Sequence, residues 1–239
     1  MTPLSHALLI MAIPAGVAVS GGALAALWQP SHAVRSLIQH FAAGVILAAL
    51  AVELLPDIGK EHATKSVVLG AFAAGSVFMY LLKLGTERLE AHGGAAAQGA
   101  ALGLLLATFV DVATDGFIIG AGFAAGGETG TVLALGLSVE LLFLGLAVAS
   151  ERIAGWRIVG VTAALGLTVL GTAVLGSVLL AGASPAVLAG SLSFSAAALL
   201  YLVTEELLME AHEVEEKPIS TLVLFGGFLT FWGIQLMGR

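Results

Sequence analysis

The chain has 239 residues, of which 59% are hydrophobic and only 10% are charged, and its formal net charge is −7. Soluble domains carry about a quarter charged residues, so this chain lacks the polar surface that a water-facing globule needs. The composition therefore excludes a cytosolic enzyme, and the lack of a basic patch excludes a nucleic-acid-binding protein. The absence of cysteine excludes a disulfide-stabilised secreted module. The sequence predicts an all-α, polytopic membrane protein with the lipid bilayer as its partner.

Apolar runs define the predicted membrane spans. A helix needs about 20 apolar residues to cross a hydrocarbon core of about 30 Å. Eight runs meet this requirement and are called the first to eighth spans: 6–28, 36–56, 66–86, 99–124, 130–150, 157–182, 186–210 and 219–238. The segments between them are too short for a second domain, so we expect one transmembrane domain over residues 1–239. No Lys or Arg precedes the first run, so we expect a span there rather than a cleavable signal peptide.

The distribution of basic residues predicts the orientation, because Lys and Arg favour cytoplasmic loops. If the N-terminus is outside, six of the nine Lys and Arg residues lie inside and three lie outside. The inner residues are Arg35, Lys83, Arg88, Arg152, Arg157 and Lys217, and the outer ones are Lys60, Lys65 and Arg239. The sequence therefore predicts a multi-pass protein of the plasma or inner membrane with both termini outside.

The second and seventh spans resemble each other. Residues 41–55 and 194–208, at a constant offset of 153, are identical at six of fifteen positions, including the Glu-Leu-Leu at the end of each segment. These two spans cross the membrane in opposite directions, so the repeat is predicted to be inverted, which is typical of secondary transporters. We expect a 3+2+3 arrangement: repeat one over about 1–90, a central helix pair over about 99–150 and repeat two over about 157–239.

Three carboxylic acids lie near the middle of the two central spans. Asp111 and Asp115 are four residues apart, hence on one face of the fourth span, and Glu140 lies at the middle of the fifth. A carboxylate at the centre of a span costs about 3 kcal/mol or more unless it faces a cavity or a partner. Neither span contains Lys, Arg or His. The pattern predicts a cation site; the alternative is a set of carboxyls satisfied by hydroxyl or backbone donors.

Further polar residues are weaker candidates. Glu205 and Glu206, about 10 Å inward of the centre of the seventh span, are predicted ligands on the path of the cation or, alternatively, interfacial acids. Glu53, on the outer side of the second span, has the same two interpretations, and His40 fits a loop edge better than a ligand position. Neutral oxygens could come from three hydroxyl residues that could instead bond to their own helix: Thr108, Thr114 and Ser138.

In layout the chain resembles the ZIP family of divalent-metal transporters, whose fourth span carries a His-Asn-x-Pro-acid-Gly pattern. Residues 111–116 here read Asp-Val-Ala-Thr-Asp-Gly, so the acid and the glycine match, while Asp111 replaces the histidine. Of the family's fifth-span ligand pattern, this chain retains a ligand-capable residue only at Glu140. In the seventh span, residues 201–206 resemble the family's Tyr-x-x-x-His-Glu segment. The histidine-rich loop between the third and fourth spans is reduced to Glu87–Gly94 with the single His92.

The resemblance implies a transporter with a divalent metal as its substrate. Metal would be held by Asp111, Asp115 and Glu140 and would leave toward Glu205 and Glu206 by an elevator motion. In that motion the first, fourth, fifth and sixth spans slide against the other four. An all-carboxylate site favours hard cations such as Mn²⁺ or Mg²⁺, whereas the family also carries Zn, Fe and Cd. No organic cofactor is expected, and a homodimer is one open arrangement.

Two other functions remain open at this stage. A proton- or sodium-coupled transporter on the same scaffold would also use a carboxylate cluster. A non-transporting membrane scaffold could have retained the fold and lost the activity. An enzyme is not expected, because the sequence contains neither His-Glu-x-x-His, Gly-x-Ser-x-Gly nor a phosphate-binding loop.

Overall fold

The structure is a computed structural model that describes residues 3–28, 31–92, 97–147, 155–211 and 218–238. These residues form helices joined by short connections, with no strand among them. Eight helices in this part of the chain are long and apolar enough to cross a membrane. The prediction of an all-helical, multi-pass membrane protein is therefore confirmed.

Six spans are single helices: the first (Pro3–Leu27), third (Lys65–His92), fourth (Ala97–Ala125), fifth (Gly127–Ala147), sixth (Trp156–Leu179) and eighth (Pro218–Gly238). The second span consists of His32–Ala49, a π-helical segment Leu50–Leu54 and Leu55–Lys60. The seventh consists of Pro185–Leu202, a π-helical segment Val203–Leu207 and Leu208–Ala211.

The third span is longer than the sequence predicted. Its helix continues to His92, so most of the expected loop at Glu87–Gly94 is helical. Residues 87–90 are all good helix formers, and the next Gly after them is at position 93. The helix therefore extends past the end of the apolar run.

The backbones of the second and seventh spans repeat each other residue for residue. Adding 153 to the bounds of His32–Ala49 gives Pro185–Leu202, and adding it to Leu50–Leu54 gives Val203–Leu207. The offset is the one found in the sequence. Pro56 follows the first π-helical segment, but Met209 occupies the equivalent position after the second, so proline does not explain the π geometry.

The eight spans pack as two groups of four. The first, fourth, fifth and sixth spans, here called group A, pack mainly on one another, above all the fourth on the sixth and the first on the fifth. The second, third, seventh and eighth spans form group B through the pairs second–eighth and third–seventh. The second–fifth, fourth–seventh and third–fourth contacts between the groups are less extensive.

Glycines bring helix backbones together within each group. In group B, a Cβ at Gly227 would overlap the carbonyl of Phe41, and a Cβ at Gly75 would lie 2.7 Å from the carbonyl of Phe194. Phe41 and Phe194 are themselves equivalent positions at the offset of 153. The second–eighth and seventh–third interfaces therefore share one packing device, in which small residues allow close approach without a hydrophobic force.

Group A uses the same device. A Cβ at Gly145 would lie 2.8 Å from the backbone of Gly22, and one at Gly176 would lie 3.1 Å from the carbonyl of Phe117. Between the groups, by contrast, a Cβ at Gly136 would meet side chains alone, those of Ala49 and Phe231, at an ordinary 3.5 and 3.9 Å. Among the described glycines, backbone-level packing is thus concentrated inside the two groups.

Candidate metal centre

The structure brings together three of the six acids that the sequence singled out. One carboxylate oxygen from each of Asp111, Asp115 and Glu140 lies within 4.8 Å of the other two. All three belong to group A. This separation allows one ion to bind all three residues, because carboxylate oxygens coordinate hard divalent cations at about 2.0–2.6 Å.

A tight helical hairpin positions the cluster. The fourth and fifth spans are separated by Gly126 alone. Asp115 precedes this residue by eleven positions, Asp111 precedes it by fifteen, and Glu140 follows it by fourteen. At 1.5 Å per residue, Glu140 therefore lies at a depth between the two aspartates. The hairpin stays narrow because a Cβ at Gly130 would overlap the ring of Phe123.

The oxygens of this cluster are poorly satisfied. Asp115 is 1% exposed and Glu140 is 5% exposed. Both oxygens of Asp115 and Oε2 of Glu140 are buried and receive no hydrogen bond from the described residues. Burying an ionised carboxylate without a partner is very unfavourable, so the geometry requires a positive ion or protons at this position.

The two glutamates of the seventh span occupy different environments. Glu206 is exposed. Its charge is the strongest electrostatic influence of a neighbouring side chain on Asp111 and Asp115, and it acts on Glu140 as well. Glu205 instead forms an ion pair with Lys83 of the third span, at 2.7 Å between Nζ and Oε2. Glu206 therefore acts on the cluster electrostatically from group B and lies outside the group of three, whereas Glu205 is held by a basic residue.

Two of the three hydroxyl candidates bond to their own helices. Thr114 donates to the carbonyl of Val110 at 3.0 Å, and Ser138 donates to the carbonyl of Ala134 at 2.6 Å. Their protons are therefore engaged on the backbone, as one of the two predicted interpretations held. His40 is buried, and its Nδ1 lies 2.8 Å from the carbonyl of Ser36, one turn earlier.

A second group of polar contacts lies at the other end of the second span. Glu53 is buried and accepts a hydrogen bond from Nε2 of Gln235 in the eighth span. Asp57 is buried as well, accepts a hydrogen bond from the hydroxyl of Thr129 in the fifth span, and pairs with Lys60 at 2.5 Å. The Asp57–Thr129 contact joins group B to group A.

Asp57 was not among the acids predicted from the sequence, because Asp57 follows Pro56 at the end of an apolar run. The repeat carried a signal that could have found it. Glu210 stands 153 residues after Asp57, so each repeat has an acid four residues beyond its Glu-Leu-Leu glutamate. The two acids Asp57 and Glu210 therefore form a second equivalent pair.

Gly116 and Gly120 form a small-xxx-small motif of the fourth span, a motif that usually packs helices together. A Cβ at either position would overlap the sixth span, at Thr172 and Val169 for Gly116 and at Ala173 for Gly120. Both spans belong to group A, so these glycines pack helices within a group.

A scan against protein-family models finds no match for this chain, and a search of curated proteins finds no matching relative.

Proposed function

We propose that the protein transports a divalent metal cation across the membrane through the site formed by Asp111, Asp115 and Glu140. One observation carries the proposal. Three carboxylates from two membrane-spanning helices converge within 4.8 Å, and three of their buried oxygens receive no hydrogen bond from the described residues. A packing role would be met by apolar residues at lower cost.

The ligand chemistry favours a hard cation. Neither the fourth nor the fifth span contains Lys, Arg or His, so no basic side chain of these helices neutralises the cluster. Carboxylate oxygens suit Mn²⁺, Mg²⁺ or Ca²⁺ better than they suit softer ions, which prefer imidazole and thiolate. The centre therefore offers three carboxylates to its cargo.

The packing of the spans supports an elevator motion. Group A carries the three-carboxylate cluster, and group B carries Glu206, so the site lies between two bodies that are each tightly packed inside. The groups are the same two sets of spans that the family resemblance implied. A displacement of group A relative to group B would move the cluster relative to the acids of the seventh span.

An inverted 3+2+3 repeat is also part of the proposal. The coincident bounds of the second and seventh spans support it, as does the pairing of second with eighth and seventh with third. Exchanging first with sixth, second with seventh, third with eighth and fourth with fifth converts each major helix pair into another major pair or, for first–sixth and fourth–fifth, into itself. Such symmetry is the basis of alternating access in many transporters.

Membership of the ZIP family remains a proposal that rests on this layout and on residues 111–116. The convergence of Asp111, Asp115 and Glu140 supports it, since these are the positions that match the family's metal-binding spans. The placement of both termini outside, in a plasma or inner membrane, is proposed from the distribution of basic residues.

Uptake by purified protein in liposomes tests the function. We expect Mn²⁺ uptake that is lost in Asp115→Asn and Asp111→Asn. Uptake should be retained in Glu128→Gln, which removes an exposed acid from the first turn of the same fifth span. Equal uptake in Asp115→Asn and the parent would refute the site. Solute flux driven by a pH gradient, in protein without bound divalent metal, would favour the proton-coupled alternative.

A further inference from the structure

A small cavity lies between the second and fifth spans, at the end of the molecule where the second span begins and the fifth ends. Its lining residues are Arg35, Ile38 and Gln39 of the second span and Phe143 and Leu146 of the fifth. The cavity contains about 210 Å³ of empty space, its mouth included. Pockets for drug-sized ligands enclose about 300–1,000 Å³, so this cavity suits a group of a few atoms rather than a whole molecule.

The polar residues of the cavity lie on one face of the second span. Arg35 and Gln39 are four residues apart, so their side chains are neighbours on the helix surface. Gln39 is 6% exposed, and its side-chain amide makes no hydrogen bond with the part of the chain that the structure describes. A buried amide without a partner is unfavourable, so the amide of Gln39 calls for a hydrogen-bonding group inside the cavity.

The charge of the lining favours an anionic group. Arg35 is the one charged side chain among the described residues that line the cavity, and it is partly exposed, so it lies toward the mouth. A guanidinium presents five N–H donors in a planar fork that suits phosphate, so Arg35 can bind a phosphate and keep its other contacts. Together, Arg35 and the amide of Gln39 offer N–H donors to phosphate oxygens.

The opposite wall is apolar. Phe143 and Leu146 belong to the fifth span, and Leu146 is buried. A phosphate that is attached to an apolar chain matches both walls, whereas a free phosphate ion matches only one. Basic pockets between membrane-spanning helices bind anionic lipid headgroups on the cytoplasmic side, where the proposed orientation places Arg35.

We propose that this cavity binds the phosphate of an anionic phospholipid headgroup, with Arg35 and Gln39 as its donors and Phe143 and Leu146 against the lipid's apolar part. One wall belongs to group B and the other to group A, so a bound headgroup contacts both groups. The proposal does not depend on cation transport, because lipid binding is measured without a metal.

Native mass spectrometry of the purified, delipidated full chain with phosphatidylglycerol tests the site. We expect one tightly bound lipid per chain in the parent. Affinity should fall about tenfold or more in Arg35→Gln, because a charge-assisted hydrogen bond to the phosphate is lost. It should fall about threefold or more in Gln39→Leu, which keeps every charge and replaces the amide with an apolar group of similar size.

Arg157→Gln is the matched control, since it removes an exposed arginine from the first turn of the sixth span, outside this cavity. Its lipid affinity should equal that of the parent. Equal losses in Arg157→Gln and Arg35→Gln would show attraction to surface charge alone and would overturn the site. Unchanged affinity in a folded Gln39→Leu would also overturn it, because a buried water would then suffice for the amide. Thermal unfolding verifies that each variant is folded.

Two competitors distinguish the source of the phosphate. Millimolar inorganic phosphate should leave phosphatidylglycerol bound, because it makes no contact with Phe143 and Leu146. Displacement of the lipid by inorganic phosphate would overturn the assignment to a lipid. Phosphatidylcholine should compete weakly, since its headgroup has no net charge, and equal competition would overturn the preference for an anionic lipid.

Discussion

The second and seventh spans have the same backbone and opposite side-chain environments. Both contain a π-helical segment at the same register, and both place a glutamate in it, Glu53 in one and Glu206 in the other. Glu53 is 3% exposed and accepts a hydrogen bond from Gln235. Glu206 is exposed, and its charge acts on the carboxylate cluster. The same pattern of helical segments therefore places its two glutamates in different environments.

The difference shows that two spans with the same helical segments can differ in how their acids reach the surface, because their side chains make different contacts. At the end of the second span, the Asp57–Thr129 hydrogen bond ties group B to group A and is buried. In the seventh span, Glu206 is exposed, and Asp111 of the fourth span is partly exposed. Under the proposed transport function, the Asp57–Thr129 contact is expected to hold the Asp57 side closed, while the side of the exposed Glu206 is expected to be open.

The largest expected effect separates the two equivalent glutamates. Glu206→Gln should weaken Mn²⁺ binding about tenfold or more, because it removes a charge that acts on a buried cluster. Glu53→Gln should leave affinity within about twofold, because the electrostatic influences on the cluster include Glu206 and not Glu53. Isothermal titration of the two variants measures both values. Equal losses would show that the spans are functionally equivalent.

The next effect tests whether the packing of the two repeats is equivalent. Gly227→Ala and Gly75→Ala should each destabilise the protein by about 1–3 kcal/mol, because a methyl group would press on the backbone of the neighbouring helix. Gly226→Ala and Gly70→Ala are matched controls, since a Cβ at either position meets no atom within 4 Å. Thermal unfolding in detergent compares the four variants. A stable Gly227→Ala would contradict the close second–eighth interface.

A smaller effect concerns the closed end. Thr129→Val removes the hydroxyl that bonds Asp57 across the two groups, so opening at this end should become several-fold more frequent. The parent has no cysteine, so Ala49→Cys, which faces Gly136 between the groups, can be labelled selectively. Thiol labelling should be faster in the Thr129→Val background. Thr131→Val is the control, since Thr131 bonds only its own helix at Gly127.

The smallest expected effect is that of Lys60→Met. The Lys60 side chain is 71% exposed, and ion pairs with such residues contribute little to stability. The melting temperature should stay within about 1 °C of the parent value. A larger drop would show that the Lys60–Asp57 pair, rather than the Asp57–Thr129 bond, closes this end.

The sequence predicted most of the metal centre because helical spacing and hairpin length are local quantities. Four residues between Asp111 and Asp115 fix a common face, and a one-residue connection fixes the depth of Glu140 relative to both. Glu205 shows the limit of such reasoning. Glu205 pairs with Lys83, which lies 122 positions earlier in the chain. Helical periodicity relates only residues a few positions apart, so it cannot predict this contact.

The sequence by itself determined that this chain is a helical membrane protein, where its spans lie, and which acids are costly to bury. These follow from composition, run length and helical geometry, all of which act over short distances along the chain. Only the tertiary structure decided which carboxylate oxygens receive no hydrogen bond from the described residues, that Glu205 pairs with Lys83, and that Asp57 binds Thr129. Each of these depends on which helices become neighbours, and that is set by close packing at glycines across distant spans.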